Sequence, residues 1–144
     1  MIQVAFTNNY GEVVQIISPG SDGAYGDGEV VGDFTARHIS SEEDPRHFMQ
    51  YKYWNDGWQI RESRPGTFYV WEGSWVFESN SFLSAVRSDR NSKLFRSDWT
   101  VLPDAPITEA EKAAWLNYRQ ALRDFPTTIT TETTLEELVW PTAP

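Results

Sequence analysis

Apolar and polar positions alternate at the start of the chain in the pattern of a β-hairpin. Ile2, Val4 and Phe6 are separated by smaller or polar residues, and a second apolar run follows at residues 13–17. Between the two runs stand a pair of asparagines and Gly11, residue types that tight turns favour. The pattern therefore predicts two antiparallel strands joined by a short turn.

The segment from Pro19 to Asp33 is rich in glycine and acidic residues and poor in apolar ones. It has too little apolar surface to order itself, so we expect a long loop. Its carboxylates could supply oxygen ligands to calcium, but they lack the register of an EF-hand. They belong to Asp22, Asp27, Glu29 and Asp33. Calcium binding by this loop stays open, and the sequence predicts no metal site and no cofactor.

Residues 34–39 are predicted as one strand, and residues 40–45 as an acidic turn or a short helical turn begun by a serine. Four short aromatic and β-branched runs then follow between residues 51 and 78. They are separated by Asn55-Asp56-Gly57, Arg64-Pro65-Gly66 and Glu72-Gly73, which carry residue types typical of turns. This part of the chain is predicted to form an antiparallel β-meander.

The spacing of apolar residues changes from strand-like to helical after Asn80. It predicts one helix over 81–95 and a second that begins at Thr108, where Glu111 completes a capping box, and is ended by Pro126. Two such helices would pack as an antiparallel pair or lie across the meander. An all-β jelly roll is the alternative, and it would require the helical periodicity to be accidental.

The predicted fold class is α+β: a small antiparallel aromatic-rich β-meander followed by an antiparallel helical pair with a docked C-terminal tryptophan. The predicted domains are 1–49, an N-terminal β-hairpin and glycine-rich loop, and 50–144, the meander and helical hairpin.

Charge narrows the possible partners. The 144 residues include 21 acidic and 12 basic side chains, a net charge of −9. Nucleic acid and anionic lipid would repel such a chain, so neither is an expected partner. The chain has no cysteine, no apolar run of the length needed to span a membrane, and a start that does not resemble a secretory signal. We expect neither membrane insertion nor export.

Enzymatic activity is not predicted. The two histidines lack the spacing of a metal or catalytic motif, and no G-x-S-x-G sequence occurs. The unusual feature is aromatic density in the meander, where adjacent aromatic residues place apolar surface on both faces. Tryptophan and tyrosine are typical of binding hot spots, so we predict a partner-binding surface there, with a sheet covered by the protein's own elements as the alternative. The residues are Tyr51, Tyr53, Trp54, Trp58, Trp71 and Trp75.

The segment from Arg96 to Pro126 resembles the C-terminal region of phage tail assembly chaperones, also called tail fibre assembly proteins. The shared pattern is S-D-W-T, then L-P-D and a proline, then an acidic helix start and K-x-x-W-x-x-Y-R-Q-x-L-R-D-x-P. It is met by Ser97, Asp98, Trp99, Thr100, Leu102, Pro103, Asp104, Pro106, Lys112, Trp115, Tyr118, Arg119, Gln120, Leu122, Arg123, Asp124 and Pro126. The meander also looks like what precedes this region in versions from phages of marine cyanobacteria.

The resemblance implies a non-enzymatic chaperone that helps a trimeric tail fibre to fold, binds its distal part, and in some members stays attached at the fibre tip. It implies action in the host cytoplasm during assembly, with retention in the virion tail as a further possibility. The alternative function is a structural virion tail component or a receptor-binding tip protein. In that case the aromatic surface would face other tail proteins or a host surface glycan, because tryptophan and tyrosine faces also suit sugar rings.

Overall fold

The computed structural model of the protein describes residues 2–18, 25–129 and 134–144. Its internal contacts divide the chain into two compact units, an N-terminal unit, Met1–Val76, and a C-terminal unit, Phe77–Pro144. Antiparallel sheets and helices are both present, so the predicted α+β class is confirmed. The division into domains at residues 49 and 50 stays a prediction.

The N-terminal unit contains a four-stranded antiparallel sheet. Its strands are β1 (Ile2–Thr7), β2 (Val13–Ile17), β3 (Val30–Val31) and β4 (Phe34–Ser40), in the order β2-β1-β4-β3. The predicted hairpin and the predicted strand over 34–39 are therefore confirmed. The final part of the predicted loop forms β3, which pairs with β4.

Strand β1 is buried on both faces, which explains its almost uninterrupted burial. On one face, Ala5 packs in a cluster with Ile39 and Phe48. On the other face, Val4 and Phe6 pack in a second cluster. A central strand covered on both sides carries much of the apolar burial that stabilises a small unit.

Helix α1 (Pro45–Tyr51) covers the first of these faces through Phe48. Its N-terminus is capped by Asp44, whose carboxylate accepts a hydrogen bond from the Arg46 N–H at 3.0 Å. Proline at the first helical position suits this start, because its missing N–H would have no partner inside the helix. The acidic turn or short helical turn predicted over residues 40–45 comes directly before this helix, and the sequence analysis did not predict the helix itself.

All four predicted aromatic strands form, as β5 (Lys52–Trp54), β6 (Trp58–Ile60), β7 (Tyr69–Trp71) and β8 (Trp75–Phe77). They make two separate hairpins, β5-β6 and β7-β8, so the prediction of one continuous meander is corrected in this respect. Pro65 in the connection cannot donate to a strand ladder. The Arg64 side chain bonds to the backbone carbonyls of Thr67 and Tyr69, so it uses acceptors that a neighbouring strand would otherwise need.

The C-terminal unit is built on α2 (Ser79–Arg96) and α3 (Glu109–Thr128), with a short 3₁₀ helix at Asp98–Val101 between them. The helices pack antiparallel, as two hydrogen bonds between them show. Arg90 donates to the carbonyl of Arg123. Leu94, one turn later on α2, accepts from Arg119, one turn earlier on α3. Phe82 and Val86 of α2 and Leu122 of α3 are buried in this unit. The predicted helical pair is confirmed.

Helix α3 begins with the predicted capping box. The Glu111 N–H donates to the Thr108 hydroxyl at 3.2 Å, and the Thr108 N–H donates to the Glu111 carboxylate at 2.7 Å. The helix runs through Pro126 to Thr128, so the prediction that Pro126 ends it was wrong. A proline this close to the C-terminus removes one intrahelical hydrogen bond only, and its ring is buried.

The C-terminal segment returns to the helical pair through a 3₁₀ turn at Leu135–Glu137. The Trp140 ring lies 4.3 Å from the ring of Phe125, centroid to centroid, and the Lys93 ammonium lies 4.8 Å from the Trp140 ring. The predicted docking of a C-terminal tryptophan is confirmed.

Candidate functional site

The six side chains predicted to contact a partner all lie in the N-terminal unit, and we call them the aromatic layer. Five of them are half-buried, and Trp71 is only 7% exposed. The layer consists of Tyr51, Tyr53, Trp54, Trp58, Trp71 and Trp75. The side chains therefore offer part of their surface to solvent while the remainder packs inside the protein.

Trp54 and Trp58 lie over the face of the four-stranded sheet that carries Ala5. They are register partners across the β5-β6 hairpin, with ring centroids 5.2 Å apart in an edge-to-face arrangement. Trp58 also meets the buried Phe48 ring at 4.6 Å, and the Arg37 guanidinium lies 4.2 Å from the Trp54 ring. Trp58 therefore belongs mainly to the core, and Trp54 to its rim.

A second group of rings consists of Tyr53, Trp71 and Trp75, in which each ring contacts the next. The centroid distances are 4.8 Å from Tyr53 to Trp71 and 5.3 Å from Trp71 to Trp75. The Trp71 indole N–H donates to the carbonyl of Tyr10 at 3.2 Å, and that of Trp75 to the carbonyl of Glu62 at 2.9 Å. Because both indole donors are bonded to backbone, the rings are fixed in orientation.

Arg61 contacts two rings of this second group, and the sequence analysis did not identify it as a site residue. The residue is 7% exposed. Its guanidinium donates to the carbonyls of Met49 at 3.0 Å and Gln50 at 3.3 Å, at the end of α1. It also lies 4.9 Å from the Trp71 ring and 4.7 Å from the Trp75 ring. One cation thus connects helix α1 to the β7-β8 hairpin.

The charge of Arg61 is balanced by Glu12, whose carboxylate lies 3.4 Å from the guanidinium. Burial lowers the pKa of Arg61, and the attraction and hydrogen bond of Glu12 oppose that shift. No sequence signal reveals this arrangement, because most of the partners of Arg61 are backbone carbonyls and aromatic faces.

A concavity of about 290 Å³ opens beside these residues. Two guanidinium groups and one carboxylate line it together with aromatic rings. The lining residues are Glu12, Gln50, Arg61, Arg64, Tyr69, Val70, Trp71 and Trp75. Guanidinium, carboxylate and aromatic carbon in one depression can bind a polar group that carries an apolar stem.

The C-terminal unit has a distinct exposed apolar surface that was not predicted. The Trp99 ring lies 5.8 Å from that of Trp115, which lies 5.7 Å from that of Tyr118. Trp99 is 43% exposed and Leu102 is 52% exposed. Every charged side chain between residues 97 and 111 is acidic. We call Trp99, Val101, Leu102 and Trp115 the connector patch.

The connector patch is held in place by buried polar contacts of Arg119. Its guanidinium donates to the Ser97 hydroxyl at 2.6 Å and to the Leu94 carbonyl at 2.9 Å, and pairs with Asp98 at 2.9 Å. The Thr100 hydroxyl donates to the Ser97 carbonyl at 2.7 Å. These contacts fix the 3₁₀ turn against α3 with the Trp99 side chain partly exposed.

Two acidic side chains of the glycine-rich loop accept hydrogen bonds from backbone N–H groups. Asp27 accepts from the His38 N–H at 2.9 Å, and Glu29 accepts from the Gly26 N–H at 2.6 Å. Asp22 lies outside the described residues. Within 2–18, 25–129 and 134–144, no group of three or more histidine or acidic side chains could hold a metal ion. No helix in the same ranges has the length and apolarity to cross a membrane.

The chain was compared with protein families, curated proteins and solved structures. A family model described as phage tail assembly chaperone protein matches residues 83–144, somewhat less than half of the chain. The match includes the connector patch and most of the C-terminal unit, and it leaves the aromatic layer outside. No curated protein and no solved structure matches the chain. The resemblance to versions from marine cyanobacterial phages stays a prediction.

Proposed function

We propose that the protein is a non-enzymatic chaperone that binds the distal part of a trimeric phage tail fibre, because its C-terminal region matches the phage tail assembly chaperone family. The match to residues 83–144 carries the proposal. It supports a role in tail assembly inside the infected host cell. The trimeric fibre as partner, and retention at its tip, are the finer parts that we propose.

The connector patch supports this function because it lies inside the matched region. Half-exposed Trp99 and Leu102 present apolar surface that a monomeric protein does not need for its own core. A folding fibre exposes apolar surface and strand edges that promote aggregation. A chaperone that covers such surface with its own apolar groups would keep the fibre soluble until its three chains associate.

We propose the aromatic layer as a second contact surface. Trp54 and Trp75 are half-buried and can contact a partner directly. Trp71 and Trp58 are packed more deeply, and we expect them to act by holding their neighbours. A hot spot of this kind has rigid rings whose polar atoms are already satisfied.

Co-expression of the fibre with and without this chain tests the chaperone role. The expected result is a higher yield of soluble fibre trimer when the chain is present. Leu102→Asp places a charge in the connector patch and should lower that yield, whereas Ser84→Asp adds the same charge at an exposed position of α2 and should not. Equal fibre yields with and without the wild-type chain would refute the proposal.

The alternative is a structural tail component or a receptor-binding tip protein that binds a host glycan. The Trp75 ring lies beside a carboxylate and two guanidinium groups. This favours glycan binding, because sugar rings stack on aromatic faces and sugar hydroxyls bond to charged side chains. We place it second, because the Arg61 guanidinium lies against both Trp71 and Trp75 and leaves less ring face for a sugar. Mass spectrometry of purified virions shows whether the chain stays attached: a transient chaperone is absent, whereas a chaperone retained at the fibre tip and a structural subunit are both present. Co-expression separates the last two, because only a chaperone raises the yield of soluble fibre trimer.

A further inference from the structure

The Arg64 guanidinium at the concavity is held in place without being neutralised. Its Nε donates to the Tyr69 carbonyl at 2.7 Å and one Nη2 hydrogen donates to the Thr67 carbonyl at 2.5 Å. Of the five N–H groups of a guanidinium, three are then still available. Within the part of the chain that the structure describes, Arg64 makes no ion pair. A fixed charged donor loses little freedom when it binds a ligand.

The concavity is locally positive in a unit that is acidic. The first 76 residues contain 11 acidic and five basic side chains. Of the residues that line the concavity, however, two are arginines and only Glu12 is acidic, and its carboxylate is paired with Arg61. The charge of Arg64 is therefore the one that a ligand can neutralise. The concavity selects for a negative group although the surrounding unit repels one.

The other residues that line the concavity indicate which group should accompany the negative charge of the ligand. The Trp71 and Trp75 indole N–H groups are both bonded to backbone carbonyls, so these rings offer carbon surface and no free donor. Val70 adds a further apolar wall. A volume of about 290 Å³ suits one side chain better than an extended molecule. The matching group is a carboxylate on a short aliphatic stem.

We propose that this concavity binds an aspartate or glutamate side chain of the protein partner, with Arg64 as the residue that recognises the carboxylate. The inference rests on the proposed function insofar as the partner is taken to be a protein. An acidic sugar shares the carboxylate but would need an open ring face, and Trp71 is only 7% exposed. The geometry therefore favours a side chain.

The full-length protein can be tested with a pair of small probes, N-acetyl-glutamate N-methylamide and N-acetyl-glutamine N-methylamide. They have the same shape and differ in charge. Titration is followed by the NMR signals of the Trp71 and Trp75 indole N–H groups, which lie at the concavity. For a fragment of this size we expect a dissociation constant on the order of 1 mM for the glutamate probe. The glutamine probe should bind at least about tenfold more weakly.

Two variants test whether Arg64 is the residue that binds the carboxylate of the probe. Arg64→Gln should abolish the response to the glutamate probe. Arg46→Gln removes the same charge from an exposed position of α1 outside the concavity and should preserve it. An unchanged NMR spectrum in the rest of the protein confirms that Arg64→Gln is folded. The inference is overturned if both probes bind equally, if Arg64→Gln still responds, or if no shift occurs at about 20 mM glutamate probe, well above the expected constant.

A third probe, glucuronate, separates a sugar from a protein ligand. Tighter binding of glucuronate than of the glutamate probe would overturn the assignment to a protein side chain. Co-expression keeps this inference distinct from the proposed function. If the wild-type chain raises fibre yield but the glutamate probe does not bind, the concavity inference fails and the chaperone proposal stands. If the probe binds through Arg64 but the chain has no effect on the fibre, the chaperone proposal fails and the carboxylate site stands.

Discussion

Replacing Gly11 with alanine should separate the turn after β1 from the first aromatic strand. Gly11 has a positive φ of 71°, and a Cβ built there would lie 1.9 Å from the carbonyl oxygen of Trp54. The clashing atom belongs to the backbone, so no rotamer change can relieve the contact. The Trp54 N–H donates to the Gly11 carbonyl at 2.8 Å, and the adjacent residues Glu12 and Tyr53 form a β-bridge. Any movement that admits the methyl group strains both links.

The expected destabilisation follows from these contacts. A non-glycine residue in the left-handed region costs about 1–2 kcal/mol. Moving the two backbones apart also loses the Trp54–Gly11 hydrogen bond, which contributes about 1 kcal/mol. Gly11→Ala should therefore lower the free energy of unfolding by about 2–3 kcal/mol. Gly32→Ala is the matched control, because φ is 62° there and no atom lies within 4 Å of the added Cβ. It should cost only the backbone term, about 1–2 kcal/mol.

Urea denaturation of both variants gives the unfolding free energies, and hydrogen exchange of the Trp54 amide gives the local readout. Both alanines restrict the unfolded chain alike, so this effect cancels in the comparison. We expect Gly11→Ala to lose protection at the Trp54 amide and Gly32→Ala to retain it. Equal unfolding free energies with a protected Trp54 amide in both variants would refute the close-approach argument, and Gly11 would then be only a turn residue.

Further predictions concern each unit. Arg61→Met should lower the free energy of unfolding by about 3 kcal/mol, because it removes two carbonyl hydrogen bonds of a buried guanidinium and its ion pair with half-buried Glu12. Arg46→Met, at an exposed site, should change the free energy of unfolding from urea denaturation by less than about 0.5 kcal/mol. Leu122→Ala should lower the free energy of unfolding by about 2–5 kcal/mol, because Leu122 is fully buried. Leu116→Ala should lower it clearly less, because Leu116 is half-exposed, and thermal unfolding measures both. The pKa of Glu111 lies below its ordinary 4.5 because the backbone N–H and hydroxyl of the helix cap bond to it. Its stabilisation is therefore present above that pH and lost as pH falls through the folded pKa, so the stability difference from Glu111→Gln should shrink between about pH 6 and about pH 3.

Patterns that repeat along the chain were readable from the sequence, and single contacts were not. The β1-β2 hairpin and the capped helix α3 follow from periodicity and from residue types at their ends. Helix α1 was missed because seven residues are too few to show a helical period. Pro126 was taken as a helix end because the sequence cannot show that only one hydrogen bond is lost there.

In the candidate site, too, the sequence predicted the repeating aromatic pattern but not the individual contacts. Aromatic density pointed to the aromatic layer, but alternation along strands could not tell deeply packed Trp71 from half-buried Trp75. Arg61 was not identified, because backbone carbonyls supply most of its hydrogen-bond partners and these have no sequence signature. Gly11 was assigned to a turn, whereas the structure adds a close approach to Trp54. A long-range approach of backbone to backbone is set by tertiary packing alone.

The matched motif contains residues with two different physical roles. Ser97, Asp98 and Arg119 contact one another and fix the 3₁₀ turn, so their substitution should reduce stability first. Trp99 and Leu102 belong to the same motif but keep about half of their surface exposed. The two Nη groups of buried Arg119 bond to residues 94–98 and hold the turn rigid. The rigid turn presents apolar side chains that the protein's own core does not use. The motif thus combines a scaffold with the surface that the scaffold displays, and a surface held rigid in this way suits the partner contact that we propose for the connector patch.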